Sequence, residues 1–135
     1  MHRPTIHAAR RSAFSLLELL LVLSISGILA GATAVALLRT GERANVKATE
    51  VGLDTLKGAL TDYRFSVGAF PTTQEGLQAL VPNYVEQRAL QDPWKRAYLY
   101  TAPTGDPNRP FMLSSAGPDG EFGTGDDISV WDVTG

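Results

Sequence analysis

The sequence predicts an α+β fold: one long N-terminal helix, transmembrane in its first half, packs on a small head with a short helix and a three-stranded antiparallel sheet. Three observations support this prediction. An apolar run fills residues 14–38, a helical spacing of apolar residues continues well beyond it, and three short β-type segments lie near the C-terminus. We therefore divide the chain into a leader (1–13), a membrane-spanning helix (14–38) and a head (39–135) that includes the second half of the long helix.

The apolar run is long enough to cross a membrane. Its 25 residues contain one charge, Glu18, and no proline. A helix of that length reaches about 38 Å, compared with ~30 Å for the hydrocarbon of a bilayer. Arg3, Arg10 and Arg11 precede the run, and the leader has no acidic residue. The positive-inside rule therefore predicts a cytoplasmic N-terminus and a head on the far side of the membrane.

Three kinds of export segment fit this arrangement. A secretory signal peptide would be cut at a small-x-small site, such as residues 30–32 or 32–34. The Arg10-Arg11 pair is a weak indication of a twin-arginine signal. The third kind loses only its leader and keeps the apolar segment. A carboxylate inside the segment is costly to insert, which disfavours an ordinary cleaved signal core. Glu18 therefore favours the third kind. Either Glu18 lies near enough to the helix end to reach the interface, or it needs a cationic partner.

Beyond residue 39 the helical spacing persists and becomes amphipathic. One face carries apolar residues at steps of three, four and seven: Val46, Leu53, Leu56, Leu60 and Tyr63. Gly68, followed by Pro71, predicts the end of this helix.

Within the apolar run, Gly27 and Gly31 form a small-x-x-x-small step that lets helices approach closely, although the same pattern fits an ordinary transmembrane helix.

A short helix is predicted to follow the long one. Thr72 as N-cap, with Glu75 three residues later, forms a capping box. The apolar face of this helix contains Leu77, and Pro82 marks its end. The segment Asp92-Pro93-Trp94 is predicted to form a turn, and burial preferences predict that Trp94 anchors the core.

Three short strands are predicted in the C-terminal part of the chain. Residues 97–101 alternate in polarity, and residues 111–114 and 128–133 are of β type. Three prolines mark residues 103–110 as a loop. Two helices followed by a small antiparallel sheet give the predicted α+β head.

An acidic, glycine-rich loop is predicted between the last two strands, over residues 114–127. One interpretation is a hairpin turned at Asp119-Gly120, with its carboxylates in solvent. The other is a calcium site, because calcium takes six to eight oxygen ligands at about 2.3–2.6 Å and no nearby base neutralises these acids. The loop lacks the EF-hand spacing. Zinc is disfavoured, because the chain has no cysteine and no histidine after His7.

Composition argues against two other classes of protein. The net charge of −2 is too close to neutral to indicate a nucleic-acid binder. A membrane-anchored hydrolase would have to work without histidine or cysteine in its head, and the acids lie in one loop rather than in a pocket, so we expect no enzyme. A secreted calcium-binding module, cut after Ala32 or Ala34, stays open as a rival. A chain without cysteine must stabilise its exported part without disulfides.

The segment from Ala13 to Glu18 reads Ala-Phe-Ser-Leu-Leu-Glu and resembles the prepilin cleavage motif of type IV pilins and type II secretion pseudopilins, usually Gly-Phe-Thr-Leu-Leu-Glu. The resemblance implies cleavage between Ala13 and Phe14 by prepilin peptidase and N-methylation of Phe14. It also implies that Glu18 of an incoming subunit pairs with the Phe14 amine of its neighbour during assembly. Alanine in place of glycine at residue 13, and the lack of a proline near Val35, depart from the family pattern.

Three head motifs in order resemble the major pseudopilins of type II secretion: residues 71–77, residues 92–94 and residues 115–128. Lys95 departs from the glycine usual after the second motif, so the tightness of that turn is open. The resemblance implies a pilin-like fold and a calcium ion in the acidic loop. Its ligands would be the side chains of three acids and two backbone oxygens: Asp119, Asp126, Asp127, Ala116 O and Thr124 O.

The resemblance implies a structural subunit of a periplasmic pseudopilus that polymerises to drive export of folded proteins across the outer membrane. The implied protein is a single-pass inner-membrane protein with its head in the periplasm. Its partners would be other copies of itself, minor pseudopilins, prepilin peptidase and the inner-membrane assembly platform, with no nucleic acid. The alternative is a type IV pilus or competence pilin. Major pilins of that kind often carry a C-terminal disulfide, which this chain cannot form.

Overall fold

A computed structural model describes residues 14–133 and has the predicted architecture. Its elements are helix α1 (Leu16–Val67), two 3₁₀ helices (Leu77–Leu80 and Gln87–Leu90) and strands β1 (Leu99–Thr101), β2 (Met112–Ser115) and β3 (Ile128–Ser129). The strands form one sheet in the order β1-β2-β3, and both pairings are antiparallel. The chain divides into two compact units, with the boundary between Leu38 and Arg39.

The first unit contains the N-terminal part of α1, which begins immediately after Ser15. The Ser15 Oγ accepts a hydrogen bond from the Glu18 amide at 3.2 Å, so a side chain caps the helix start. Every residue from 14 to 38 is exposed. The hydroxyls of Ser24 and Thr33 donate to backbone carbonyls one turn earlier, so these two polar groups are satisfied within the helix. Among the described residues, α1 is the one helix long and apolar enough to cross a membrane.

In the second unit α1 becomes a core helix. Leu53, Leu56 and Leu60 are fully buried, which confirms the predicted apolar face, and Val46 and Tyr63 are half-buried at its two ends. Buried residues thus recur at steps of three and four along one face of the helix. The helix ends at Val67, next to the predicted stop, where the Gly68 amide donates to the Arg64 carbonyl at 2.8 Å.

The predicted capping box is present, but the helix after it is shorter than predicted. The Glu75 carboxylate accepts from the Thr72 amide at 2.8 Å, and the Glu75 amide donates to the Thr72 Oγ1 at 3.3 Å. Gly76 then adopts φ +61° and ψ −168°, a conformation outside the helical region that interrupts the backbone. Only a 3₁₀ turn, Leu77–Leu80, follows it.

The core of the head is built around Phe111, which is 2% exposed. Its ring lies 5.0 Å from that of Phe70, 6.1 Å from that of Tyr100 and 5.2 Å from that of Trp131, measured between centroids. Trp131 is half-buried and packs against this core, and its indole N–H donates to the Phe111 carbonyl at 2.8 Å.

The prediction that Trp94 anchors the core is wrong. Trp94 is half-buried in the turn that precedes β1, and the Arg96 guanidinium lies 5.4 Å from its ring centroid. The turn that carries Trp94 is tight. The Lys95 amide donates to the Asp92 carbonyl at 2.9 Å, and Lys95 adopts φ +67°. Lys95 therefore takes the left-handed conformation that the usual glycine would adopt at lower cost.

Two of the three strands are shorter than predicted. Residue 97 forms an isolated bridge with Gln91, and β1 begins only at Leu99. Strand β3 covers Ile128–Ser129, because the Asp132 amide turns back to donate to the Ser129 carbonyl at 3.1 Å. The residues after β3 therefore form a turn rather than the second half of a strand.

Candidate functional site

The acidic loop connects β2 to β3, and the sheet holds its two ends together. Ser115 at the end of β2 is the register partner of Ile128 at the start of β3. Residues 116–127 therefore leave and rejoin the sheet at the same end of the β2–β3 pair. The first residue of the loop, Ala116, is 2% exposed.

Asp126 is the most extensively bonded acid of the loop. Its Oδ1 accepts from the Thr124 hydroxyl at 2.6 Å, and its Oδ2 accepts from the Asp119 amide at 3.1 Å. Both bonds favour the charged carboxylate, so they lower the pKa of Asp126 below its ordinary value of 3.8, the Thr124 hydroxyl contributing most. Asp126 is therefore a carboxylate at neutral pH.

The other two predicted carboxylate ligands each accept a hydrogen bond from a backbone amide within the loop. Asp119 Oδ1 accepts from the Glu121 amide at 2.8 Å, and Asp127 Oδ2 accepts from the Gly123 amide at 2.7 Å. The second oxygen of Asp127, Oδ1, is buried and has no hydrogen-bond partner within residues 14–133. A buried carboxylate oxygen without a donor is costly, so this atom calls for a cation or a water molecule.

The structure brings the predicted ligands into one loop, but not into a closed cluster. Asp119 and Asp126 are joined by one hydrogen bond, and Thr124 bonds to Asp126. Over the part of the chain that the structure describes, no group of three or more acids or histidines is close enough to hold a metal. Ala116 is connected to Asp126 through Gly117, where a Cβ atom would meet the Asp126 carbonyl and lie 3.3 Å from its Oδ2.

One base lies beside the backbone of this loop, although it comes from a distant part of the sequence. The Arg96 Nη2 donates to the Pro118 carbonyl at 3.3 Å, 22 residues away in the sequence. The same guanidinium lies against Gly120, where a Cβ atom would overlap it. Nothing local in the sequence indicates this contact, because it depends on how the turn before β1 packs beside the loop after β2.

The N-terminal segment contains two of the predicted functional residues. Phe14 is 80% exposed, and Glu18 is exposed in the first turn of α1. Ala13, on the other side of the predicted cleavage point, lies outside the described residues.

Comparisons with known proteins cover both parts of the chain. The family model described as "Type II secretion system (T2SS), protein G" matches residues 36–131, and that of the "Prokaryotic N-terminal methylation motif" matches residues 8–34. The chain is 35% identical to a Vibrio cholerae type II secretion system core protein G, over 92% of this chain and 94% of that one. It is 33% identical to the Escherichia coli K12 core protein G, over 93% and 94% of the two chains.

A solved structure is also similar. It is the crystal structure of the major pseudopilin from the type 2 secretion system of enterohaemorrhagic Escherichia coli, with a TM-score of 0.62 and 30% sequence identity. The similarity covers 73% of this chain and 92% of that one.

Proposed function

We infer the role of this protein from one premise: the chain belongs to the type II secretion system protein G family. It is a structural subunit of the type II secretion pseudopilus, anchored to a membrane by its apolar N-terminal helix. The observation that carries this assignment is a pseudopilin head combined with an apolar segment whose residues 14–38 are all exposed. A type IV pilus or competence pilin is not favoured, because the relatives are named core protein G and major pseudopilin.

We propose that the subunit is stored as a single-pass protein of the inner membrane, with its head in the periplasm. Arg3, Arg10 and Arg11 supply the cytoplasmic charge that orients the helix. The exposed side chains of residues 14–38 would face lipid, and the internally bonded hydroxyls of Ser24 and Thr33 suit that surrounding.

Maturation would remove residues 1–13 by prepilin peptidase cleavage between Ala13 and Phe14, followed by N-methylation of Phe14. The support is the cleavage motif and a helix that begins two residues later, capped by Ser15. The intact mass of the protein from membranes tests this step. We expect a chain that begins at methylated Phe14, with the Ala13→Gly variant as a positive control. A chain cut after Ala32 or Ala34 would instead indicate a secreted module.

Glu18 would act during assembly as the partner of the Phe14 amine of a neighbouring copy. Such an ion pair is stronger in a low-dielectric surrounding than in water, so it would set the axial register of the incoming subunit. Polymerisation from the inner-membrane assembly platform, together with minor pseudopilins, would then drive folded proteins through the outer membrane. This is a structural rather than an enzymatic role.

The assembly role is tested by Glu18→Ala, with Glu86→Ala as a matched control in the head. We expect Glu18→Ala to abolish cross-linked pseudopilus ladders and secretion of a reporter substrate, while the protein level in membranes stays normal. Glu86→Ala should leave both unchanged, because this glutamate is exposed and its ion pair, as far as residues 14–133 show, is with exposed Arg88. Ordered polymers of Glu18→Ala at normal yield would refute the role.

We propose calcium as the cofactor of the acidic loop. Its ligands would be the side chains of Asp119, Asp126 and Asp127 with the backbone oxygens of Ala116 and Thr124. The donors are all oxygen atoms, which calcium prefers. The atom that most requires a cation is the buried Asp127 Oδ1, which has no hydrogen-bond partner among residues 14–133. When bound, calcium would neutralise the loop carboxylates and tie the two ends of the loop together.

Thermal unfolding of the full chain in detergent tests this proposal. We expect calcium to raise the melting temperature relative to chelator, and magnesium to raise it less. Asp127→Asn should lose the calcium effect, while Asp132→Asn, an exposed acid beyond the loop, should keep it. A melting temperature that is the same with calcium and with chelator would refute the calcium site.

A further inference from the structure

Asp92 is a buried carboxylate that the proposed function does not use. It is 3% exposed and lies in the turn before β1. Its Oδ1 accepts from the Arg96 amide at 2.9 Å, and its Oδ2 accepts from the Ser115 hydroxyl at 2.8 Å. The second bond crosses 23 residues of sequence and ends at the last residue of β2, where the acidic loop begins.

Ser115 passes this contact on to the loop. It is fully buried, and its Oγ accepts from the Gly117 amide at 3.2 Å while donating to Asp92. Gly117 adopts φ +62° and packs directly on the backbone of Asp126, with no room for a Cβ atom. The position of Asp126 is therefore coupled, through Gly117 and Ser115, to the carboxylate of Asp92.

Arg96, at the other end of the same turn, holds the loop at a second point. Its guanidinium donates to the Pro118 carbonyl at 3.3 Å and lies against Gly120. Asp92 bonds to Ser115, which in turn bonds to Gly117, and Arg96 contacts the residues that follow in the chain, Pro118 and Gly120. The turn thus contacts the first half of the loop, the half that carries Ala116 and Asp119.

We propose that the turn Asp92–Arg96 is a positioning element for the acidic loop, and that the Asp92–Ser115 hydrogen bond in particular sets the affinity of the loop for calcium. None of these residues is itself a ligand. They act by fixing the backbone that carries the ligands, as outer-shell partners of metal sites do. This inference rests on the proposed calcium site, but its structural part concerns the loop with or without metal.

The test compares Ser115→Ala with Ser114→Ala in the full chain in detergent. Both changes remove one hydroxyl from β2, but within residues 14–133 the Ser114 side chain has no hydrogen bond to lose. We expect Ser115→Ala to weaken calcium binding by about tenfold, the lower end of outer-shell effects, and Ser114→Ala to leave it unchanged. In chelator, amide exchange at Gly117 and Asp119 should be about tenfold faster in Ser115→Ala alone.

A second variant guards against simple misfolding of Ser115→Ala. Arg96→Lys keeps the positive charge beside the acidic loop and removes the guanidinium that reaches Pro118, so a smaller change in the same direction is expected. Wild-type calcium affinity in both variants would overturn the inference. If the unaltered chain binds no calcium, the calcium proposal fails and exchange alone decides. Faster exchange in both variants would then support the positioning role, and unchanged exchange would overturn it.

Discussion

Both halves of α1 contain leucines, yet only the second half buries them. Leu53, Leu56 and Leu60 are inaccessible to solvent, whereas Leu23 and Leu29 are 61% and 63% exposed. The cause is the distribution of apolar residues around the helix. In the second half they follow one face of the helix, which one small head covers. In the first half they surround the helix, so only a lipid bilayer or several neighbouring helices can cover them.

The two halves of the helix therefore have different structural roles. The second half provides the framework of the head core and determines whether the head folds. The first half provides surface for a bilayer and, in our proposal, for other subunits. Substitutions of the same kind in the two halves should therefore have different consequences.

The largest difference is expected for leucine truncation. Leu56→Ala should destabilise the head by about 2–5 kcal/mol, because it leaves a cavity in a fully buried site. Leu29→Ala should leave the stability of the head unchanged. Both tryptophans, Trp94 and Trp131, belong to the second unit, so fluorescence-detected unfolding reports on the head alone. Equal losses of head stability in the two variants would contradict the different roles of the two halves.

A smaller difference is expected between two glycines in the second half of α1. Gly58→Ala should stabilise the head by about 0.5–1 kcal/mol, because the added Cβ meets nothing within 4 Å and alanine favours the helix. Gly52→Ala should forfeit this gain, since its Cβ would lie 2.6 Å from the Tyr98 hydroxyl oxygen. Chemical denaturation measures both changes. In a Tyr98→Phe background the two substitutions should become equivalent, and a persistent gap there would show another cause.

The smallest effect at neutral pH concerns two tyrosines of the head. Burial raises the pKa of Tyr98 and of Tyr100 to about 12, against an ordinary value of 10.0. The pKa values are raised in the folded state, so the associated stability is complete below pH 10 and is lost as the pH rises from 10 towards 12. Phenolate absorbance during an alkaline titration measures this, with Tyr98→Phe and Tyr100→Phe as assignments. Titration of both residues near pH 10 in the folded protein would contradict their burial.

Local patterns predicted much of the fold. The spacing of leucines located the buried face of α1, Gly68 located its end, and the Thr72–Glu75 pair formed the capping box predicted after it. These features depend on residues within one or two turns of each other. The choice of core tryptophan was not local. Trp94 lies in a tight turn, and Trp131 lies across from Phe111, a neighbour 20 residues away.

The candidate site shows the same limit. Composition and order identified the acidic loop and its carboxylates, but they indicated neither the Arg96 contact with Pro118 nor the bond from Ser115 to Asp92. Both contacts require the turn before β1 to lie beside the end of β2. That placement is a property of the antiparallel register, in which Leu99 pairs with Ser114.

The amino-acid sequence by itself determined the division into an apolar segment and a head, because charge and hydrophobic periodicity act over a few neighbouring residues. It also determined that any metal in the acidic loop would be held by oxygen. Only the tertiary structure decided which tryptophan packs against the core and which side chains contact the loop. Those outcomes depend on packing between segments that are distant in the chain, and local sequence patterns do not indicate which distant segments pack together.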